Sequence, residues 1–416
     1  MAPPFAMKIL YLHQYFLTPS DRGGTRSWEL ARRLVDAGHE VTVITSDRFV
    51  DRPTWEVREQ AGIEVHRLGV RYDNRQSYRE RVAAFLRFAT AAGARAHRAG
   101  GDLVFATSTP LTIAIPGLYA ARRLGVPFVF EVRDLWPDVP IAMGALRNPA
   151  LIAAARVLER TAYREAAHVV ALSPGMRAGV LAQGVPASRT SVIPNACDFE
   201  LFEVPAAAGR SFAETHPELG VGDDGAPLLV YAGTLGKANG ASWLVDLAAA
   251  LAHAAPERGA PTPVIAVVGD GWEEREMNRR ARQAGVLGRN FHMLGPKPKA
   301  EMPAILSAST AALSTFIDVP ALRDNSANKF FDALAAGRPV VVNHEGWIAD
   351  LIRERACGLV LPRNPERAAA ALLDTLADPS WRERAGQAAR ELGKARFDRD
   401  ALARELEQTL RRVAAA

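Results

Sequence analysis

Short apolar runs alternate with amphipathic stretches along this chain, and the alternation breaks once and then begins again. In the first half the runs are KILYL (8–12), VTVIT (41–45), DLVFAT (102–107), PFVFEV (127–132), HVVAL (168–172) and TSVIP (190–194). Their length and apolar character predict strands, and the amphipathic stretches between several of them predict helices, which together give a parallel sheet. Residues 200–226 carry proline, glycine and acids without periodicity. The pattern then restarts with PLLVYAG (227–233), PVIAVVGDG (263–271), NFHMLG (290–295), AALST (311–315) and RPVVVN (338–343). A chain of 416 residues is also longer than one core usually serves. The prediction is an α/β protein of two domains in series: 1–200, a linker at 201–226, 227–395, and a terminal helix within 396–416 with Leu402, Leu406, Leu410 and Val413 on its apolar side.

Each half opens on a glycine loop after a strand. Gly23-Gly24 precede a segment in which Trp28, Leu30, Ala31, Leu34 and Val35 recur at helical spacing, with Arg26, Glu29, Arg32, Arg33 and Asp36 on the other face and Gly38 as the stop. A helix N-terminus offers unpaired N–H groups and the positive end of its dipole, so an anion suits this place. YAGTLGKANGASWL (231–244) repeats the arrangement. Two such loops suit one ligand held between two half-molecules. Neither G-x-G-x-x-G nor G-x4-G-K-[ST] occurs at them, which argues against a dinucleotide fingerprint and a P-loop.

The formal net charge is +5. Arginines 71, 75, 79, 81, 87, 95 and 98 stand against Asp73 and Glu80, so this one segment carries a charge equal to the whole excess. With Val82, Phe85, Leu86 and Phe88 on one side, it reads either as a basic amphipathic helix lying on an anionic membrane or as a domain helix with a solvated arginine face. Aromatic residues do not alternate with the basic ones as a base-stacking platform requires, so no nucleic-acid partner is expected. Two distant cysteines, Cys197 and Cys357, suit a reducing cytoplasm. The start lacks an export signal and no segment is apolar enough to span a bilayer, so the expected location is cytoplasmic, with the inner face of the membrane as a peripheral site. Nine scattered histidines without H-x3-H or H-E-x2-H spacing argue against zinc. The D-x-D at 398–400 reads as a helix cap, and no metal is expected.

The ordered motifs GG, GHEVTVIT, FEVRDLWP, VIPNACDFELF, VYAGTLGKANG, VVGDG and NSANKFFDALAAGRPVV resemble the retaining glycosyltransferases of family 4. Within that family they are similar to bacterial O-antigen and capsule enzymes of the N-acetyl-L-fucosamine transferase type. The resemblance implies a GT-B fold, in which two Rossmann-like domains face each other across a cleft and a C-terminal helix crosses back to the first domain. It implies a nucleotide-sugar donor, UDP-sugars favoured, held mainly by the second domain, and a glycan or polyprenyl-linked acceptor held by the first. No obligatory cofactor is implied. Transfer would proceed by a front-face, ion-pair-like step.

Site residues follow from the same resemblance. Asp324 and Asp332 match the two family acids, Asp332 as the acceptor of ribose hydroxyl hydrogen bonds. Gly23, Gly24, Gly233, Thr234, Lys237, Gly269 and Gly271 would line the donor. Relatives commonly place an Arg and a Lys where this chain has Thr234 and Asn239, which leaves Lys329 and Lys237 as the cations for the diphosphate, Lys329 on the same helix face as Asp332. Base recognition in such folds often uses backbone near LGPKPKAEM (294–302). In FEVRDLWP, Glu131, Arg133 and Asp134 stand at a strand end and would face the acceptor, Arg133 and Asp134 among the catalytic candidates. Two other readings stay open: a nucleotide-sugar 2-epimerase of the same architecture, and a non-catalytic basic binding protein.

Overall fold

The structure, a computed structural model, describes residues 6–21, 23–52, 54–72, 76–221 and 225–416. Arg75 and Asp73 of the arginine-rich segment lie outside the described residues. The chain divides into two units. The first comprises the residues up to Thr18, Thr25–Pro194 and Asp400–Ala416; the second comprises Pro19–Gly24 and Asn195–Arg399.

The first unit is built on β1 (Lys8–Leu12), β2 (Glu40–Asp47), β3 (Trp55–Gln60), β4 (Ile63–Gly69), β5 (Leu103–Thr107), β6 (Phe128–Val132), β7 (His168–Ala171) and β8 (Thr190–Val192). They form one sheet in the order β3-β4-β2-β1-β5-β6-β7-β8. Only β3 runs antiparallel, against β4. The second unit holds β9 (Leu228–Ala232), β10 (Val264–Val268), β11 (Phe291–Gly295), β12 (Ala311–Ser314), β13 (Val340–Val342) and β14 (Gly358–Val360), in the order β11-β10-β9-β12-β13-β14. All of its pairings are parallel. Ile9 pairs with Val41 on one side and Leu103 on the other, and Leu229 likewise with Ile265 and Ala311. At β1 and again at β9 the strand order reverses, which opens a crevice at the carboxyl ends of the strands. The glycine loops follow these two strands.

The structure departs from the expected pattern at three places and decides between two readings at a fourth. No predicted run corresponds to the β3–β4 hairpin, because WEVREQ is largely exposed and shows no apolar run. The stretch 201–226 is not a linker where it is described: Phe199–Phe202 and Ala206–Thr215 are helical, and Phe202, Phe212 and Leu219 are buried in the core of the second unit. Three apolar side chains too widely spaced for a periodic signal were enough to fold it inward. The helix Tyr78–Ala99 does not offer its apolar side to a membrane, since Phe85 and Phe88 are buried in the first unit and only Leu86 of that set is exposed. Part of its basic character is also engaged: Arg87 pairs with Asp51 at 2.9 Å, and Arg95 donates to His66 Nδ1 at 2.9 Å. Finally, Arg26 and Glu29 are not on a wet face of the helix Arg26–Asp36; both are buried.

The terminal helix, Arg399–Ala414, packs within the first unit by Leu402, Leu406 and Leu410. Asp400 accepts from Arg33 Nε at 2.6 Å, and Glu407 lies 3.3 Å from His39 Nε2. Among the described residues no helix is long and apolar enough to cross a membrane.

Candidate active site

In the second unit the loops after β9 and β10 lie backbone against backbone. Gly233 N–H donates to the Val268 carbonyl at 2.8 Å, and Leu235 N–H to that of Asp270 at 2.8 Å. Gly269 has φ 148°, and a Cβ there would stand 2.0 Å from the Gly233 carbonyl oxygen, so no side chain is possible. A Cβ on Gly233 would meet Lys329 Cε at 2.9 Å. The site therefore has a floor of bare main chain with one lysine laid across it.

Lys329 sits in the first turn of the helix Asn328–Ala335. Its ammonium donates to Asn239 Oδ1 at 3.3 Å and lies 4.8 Å above the Tyr231 ring. Among the described residues it is in no ion pair. Burial lowers its pKa to about 8, against the opposing pull of Asp332. A desolvated cation without a counter-ion, next to open backbone, is a place prepared for an anion.

Asp332 turns elsewhere. Its Oδ2 accepts from Lys299 Nζ at 2.5 Å, and that lysine also lies 5.2 Å over the Phe202 ring. The shared helix face expected of Lys329 and Asp332 is thus divided: one residue serves the β9 loop, the other the segment 294–302, from which Lys299 comes. Asp324 precedes the helix, partly buried, with its carboxyl pushed up by burial. The loop between the two acids is fastened by Asn195, whose Nδ2 donates to the Ser326 carbonyl at 2.6 Å, and by Trp347, whose Nε1 donates to that of Asn325 at 2.8 Å. Gly24 belongs with this unit, not with the first domain: a Cβ on it would stand 2.7 Å from Asn328 Nδ2. Gly23 beside it has φ 138°. Thr234 is exposed and contributes its carbonyl to Tyr231 Oη at 2.9 Å. Lys237 is exposed as well, with its ammonium 4.6 Å over the ring of Trp272, the residue after Gly271.

These facts fix a pH dependence. An anion on Lys329 favours its charged form, so affinity for an anion there should be level below about pH 8, where the free lysine titrates, and fall above it by up to about tenfold per unit. Stability of the ligand-free protein should move the other way. The unfolded chain, with a lysine pKa of about 10.4, binds the proton that the folded one has lost, so this group's contribution rises with pH between about 8 and 10.4. Calorimetric titration of UDP across pH 7–9.5 checks the first effect; flat affinity would reject it.

In the first unit the ends of β5 and β6 bring charged groups together. Glu131 does not line an open cleft; it is fully buried. Arg26 donates to its Oε1 from Nε at 3.1 Å and from Nη2 at 2.7 Å, and Thr107 Oγ1 donates to Oε2 at 2.5 Å. Burial raises the Glu131 carboxyl, but the guanidinium outweighs it and holds the pKa below the usual range. Arg26 also donates to the carbonyls of Ile193 and Pro194. Arg133 and Asp134 are partly buried. Arg133 Nη1 lies 3.3 Å from His13 Nε2, and Asp134 Oδ2 accepts from Thr109 Oγ1 at 3.3 Å. Burial raises the Asp134 pKa to about 6 although Arg133 opposes it. His13, buried, is held well below its ordinary pKa by burial and by Arg133. It therefore stays neutral beside the Arg133 guanidinium.

Sequence reasoning missed Arg26, His13, Lys299 and Asn195. A signal existed for the first: a glutamate inside PFVFEV, apolar on either side, requires a buried cation. Among the described residues no cluster of His, Cys, Asp or Glu forms a metal site.

Residues 23–196 match the glycosyl transferase 4-like domain family, and residues 226–378 match the glycosyl transferases group 1 family. The chain is 27% identical over 337 residues to a GDP-mannose-dependent alpha-mannosyltransferase of Mycobacterium tuberculosis, a match covering 80% of this chain and 78% of that one. It is 26% identical over 253 residues to the 2-deoxystreptamine N-acetyl-D-glucosaminyltransferase of Streptomyces fradiae, covering 60% and 56%. Among solved structures it is similar to HepE of Anabaena in complex with UDP and glucose, with a TM-score of 0.71 at 20% identity over 97% of this chain and 99% of that one. It is also similar to sucrose-phosphate synthase of Thermosynechococcus elongatus, with a TM-score of 0.77 at 19% identity over 98% and 99%. Two parallel-sheet α/β domains with these neighbours define a GT-B fold. Over residues 23–196 and then 226–378 the chain matches a glycosyl transferase 4-like domain followed by a glycosyl transferases group 1 domain, which supports a GT4-type glycosyltransferase.

Proposed function

We propose that the chain transfers a sugar, with retention, from a nucleoside diphosphate sugar to a glycan or lipid-linked acceptor in surface polysaccharide synthesis. The observation that carries the reading is Lys329: a desolvated ammonium without an ion-pair partner among the described residues, laid on the main-chain floor of the β9 loop. Negative charge grows on the leaving diphosphate as the glycosidic bond breaks, and a pre-positioned cation stabilises it most at that moment. Asp332 takes the ribose, and the segment 294–302 beside it takes the base. Arg133 and Asp134 serve the acceptor, the carboxylate receiving a hydrogen bond from its hydroxyl. A UDP-sugar is the favoured donor, in keeping with the UDP held by the Anabaena neighbour.

A thermal-shift screen of UDP-, GDP- and dTDP-sugars tests this, since a ligand at about 100 times its Kd adds about 2.7 kcal/mol of stability. No shift with any of them would reject the reading. For a lipid-linked acceptor, the exposed Arg71, Arg79 and Arg98 draw the enzyme to an anionic bilayer. Changing all three to Gln should weaken binding to phosphatidylserine vesicles about a hundredfold at low salt, at about 1 kcal/mol each, and leave nucleotide affinity unaltered. Unchanged co-sedimentation would remove the membrane from the proposal.

A further inference from the structure

Trp272 is 58% exposed and, among the described residues, is the one large hydrophobic side chain of the second unit left in solvent. Scattered exposed apolar residues are ordinary. This one is held on both sides. Gly271 before it has φ 149° and no room for a Cβ, which would meet the Leu235 carbonyl oxygen at 2.7 Å. Glu273 after it donates its N–H to the Leu235 carbonyl at 2.9 Å and accepts with its carboxylate from Ala241 N–H at 2.8 Å and Ser242 Oγ at 3.3 Å. The main chain on either side of the indole is thus held by the same two loops that form the floor of the site. Across its face, at 4.6 Å, stands the ammonium of Lys237. Two positions on, in the same short turn, Asn239 holds Lys329.

We propose that Trp272 is a positioning residue that stations Lys237 at the rim of the diphosphate site in the free enzyme and releases it when the donor binds. A cation on an exposed aromatic face is weakly held, and a diphosphate offers it two anionic groups instead. The pair supplies a second, mobile cation in the loop that follows β9. The proposal rests on donor binding by the second unit and adds to it a change of partner by Lys237.

The test uses UDP, inorganic pyrophosphate and uridine with the full chain. Trp272 emission is read as the difference between wild type and Trp272→Phe, because the chain has seven tryptophans. UDP and pyrophosphate should each change the emission and acrylamide accessibility of Trp272, and uridine should not. Lys237→Met without ligand should already show the UDP-bound spectrum, should change no further with UDP, and should bind UDP about tenfold more weakly by calorimetry. Trp272→Phe keeps an aromatic face and should bind UDP within about twofold of wild type. Calorimetric binding of UDP with unchanged Trp272 emission, or wild-type affinity in Lys237→Met, would overturn the inference while donor binding stands. A spectral change with uridine would assign the indole to the base and overturn it too. If neither UDP nor pyrophosphate binds, the donor reading fails and the inference falls with it.

Discussion

Replacing Arg26 by alanine is expected to destabilise the protein by about 3–5 kcal/mol, because it leaves the Glu131 carboxylate buried without its cation. Arg26 satisfies Oε1 of Glu131 twice and also donates to the Ile193 and Pro194 carbonyls. Burying such a pair is costly in itself, and the stability it adds over an apolar pair of similar size is small. Removing one partner is another matter, since the charge left behind has lost both water and the cation hydrogen-bonded to it. The double variant Arg26→Met, Glu131→Leu should recover part of the loss. About 1–3 kcal/mol should remain, because the Ile193 and Pro194 carbonyls lose their donor. Urea unfolding of the three proteins measures this. A single variant within about 1 kcal/mol of wild type would mean that water reaches Glu131 and that the pair is not sealed.

The larger functional effect is expected at Lys329. Lys329→Ala should lower kcat about 100- to 1,000-fold, the range seen when one group stabilising developing negative charge is removed. KM should rise less, since the charge on the diphosphate is smaller before the bond breaks. Stability should not fall in step. The lysine is held against its preference for water, as the drop in its pKa to about 8 shows, so losing the charge relieves a desolvation cost. Asp332→Ala should chiefly weaken donor binding, and it should also release Lys299, its partner at 2.5 Å. Saturating-donor kinetics with a denaturation curve for each variant separates the roles. If Lys329→Ala keeps most of the wild-type kcat, the lysine is part of the packing and Lys237 is the cation to examine.

Much of this protein was legible before folding. KILYL is β1 residue for residue, VTVIT lies within β2, and nine further predicted runs contain observed strands, because an apolar run bounded by turn residues is a local signal. The glycine loops after β1 and β9 were legible for the same reason: positive φ and bare backbone are demands on one residue at a time. The identities of Lys329, Asp324 and Asp332 as candidates came from a motif contiguous in sequence. What the sequence left undecided lies in contacts between distant residues. Arg26 and Glu131 meet across 105 positions, and nothing near either of them says so. Asp332 finds Lys299 across 33 positions and Lys329 finds Asn239 across 90, which separates two residues that helical spacing alone puts on one face. The segment 19–24 goes with the second unit and the terminal helix with the first, although each is nearer in sequence to the other. Periodicity reports which side of an element is apolar; only packing decides what covers it, and a charged group's role depends on what remains beside it once water has been excluded.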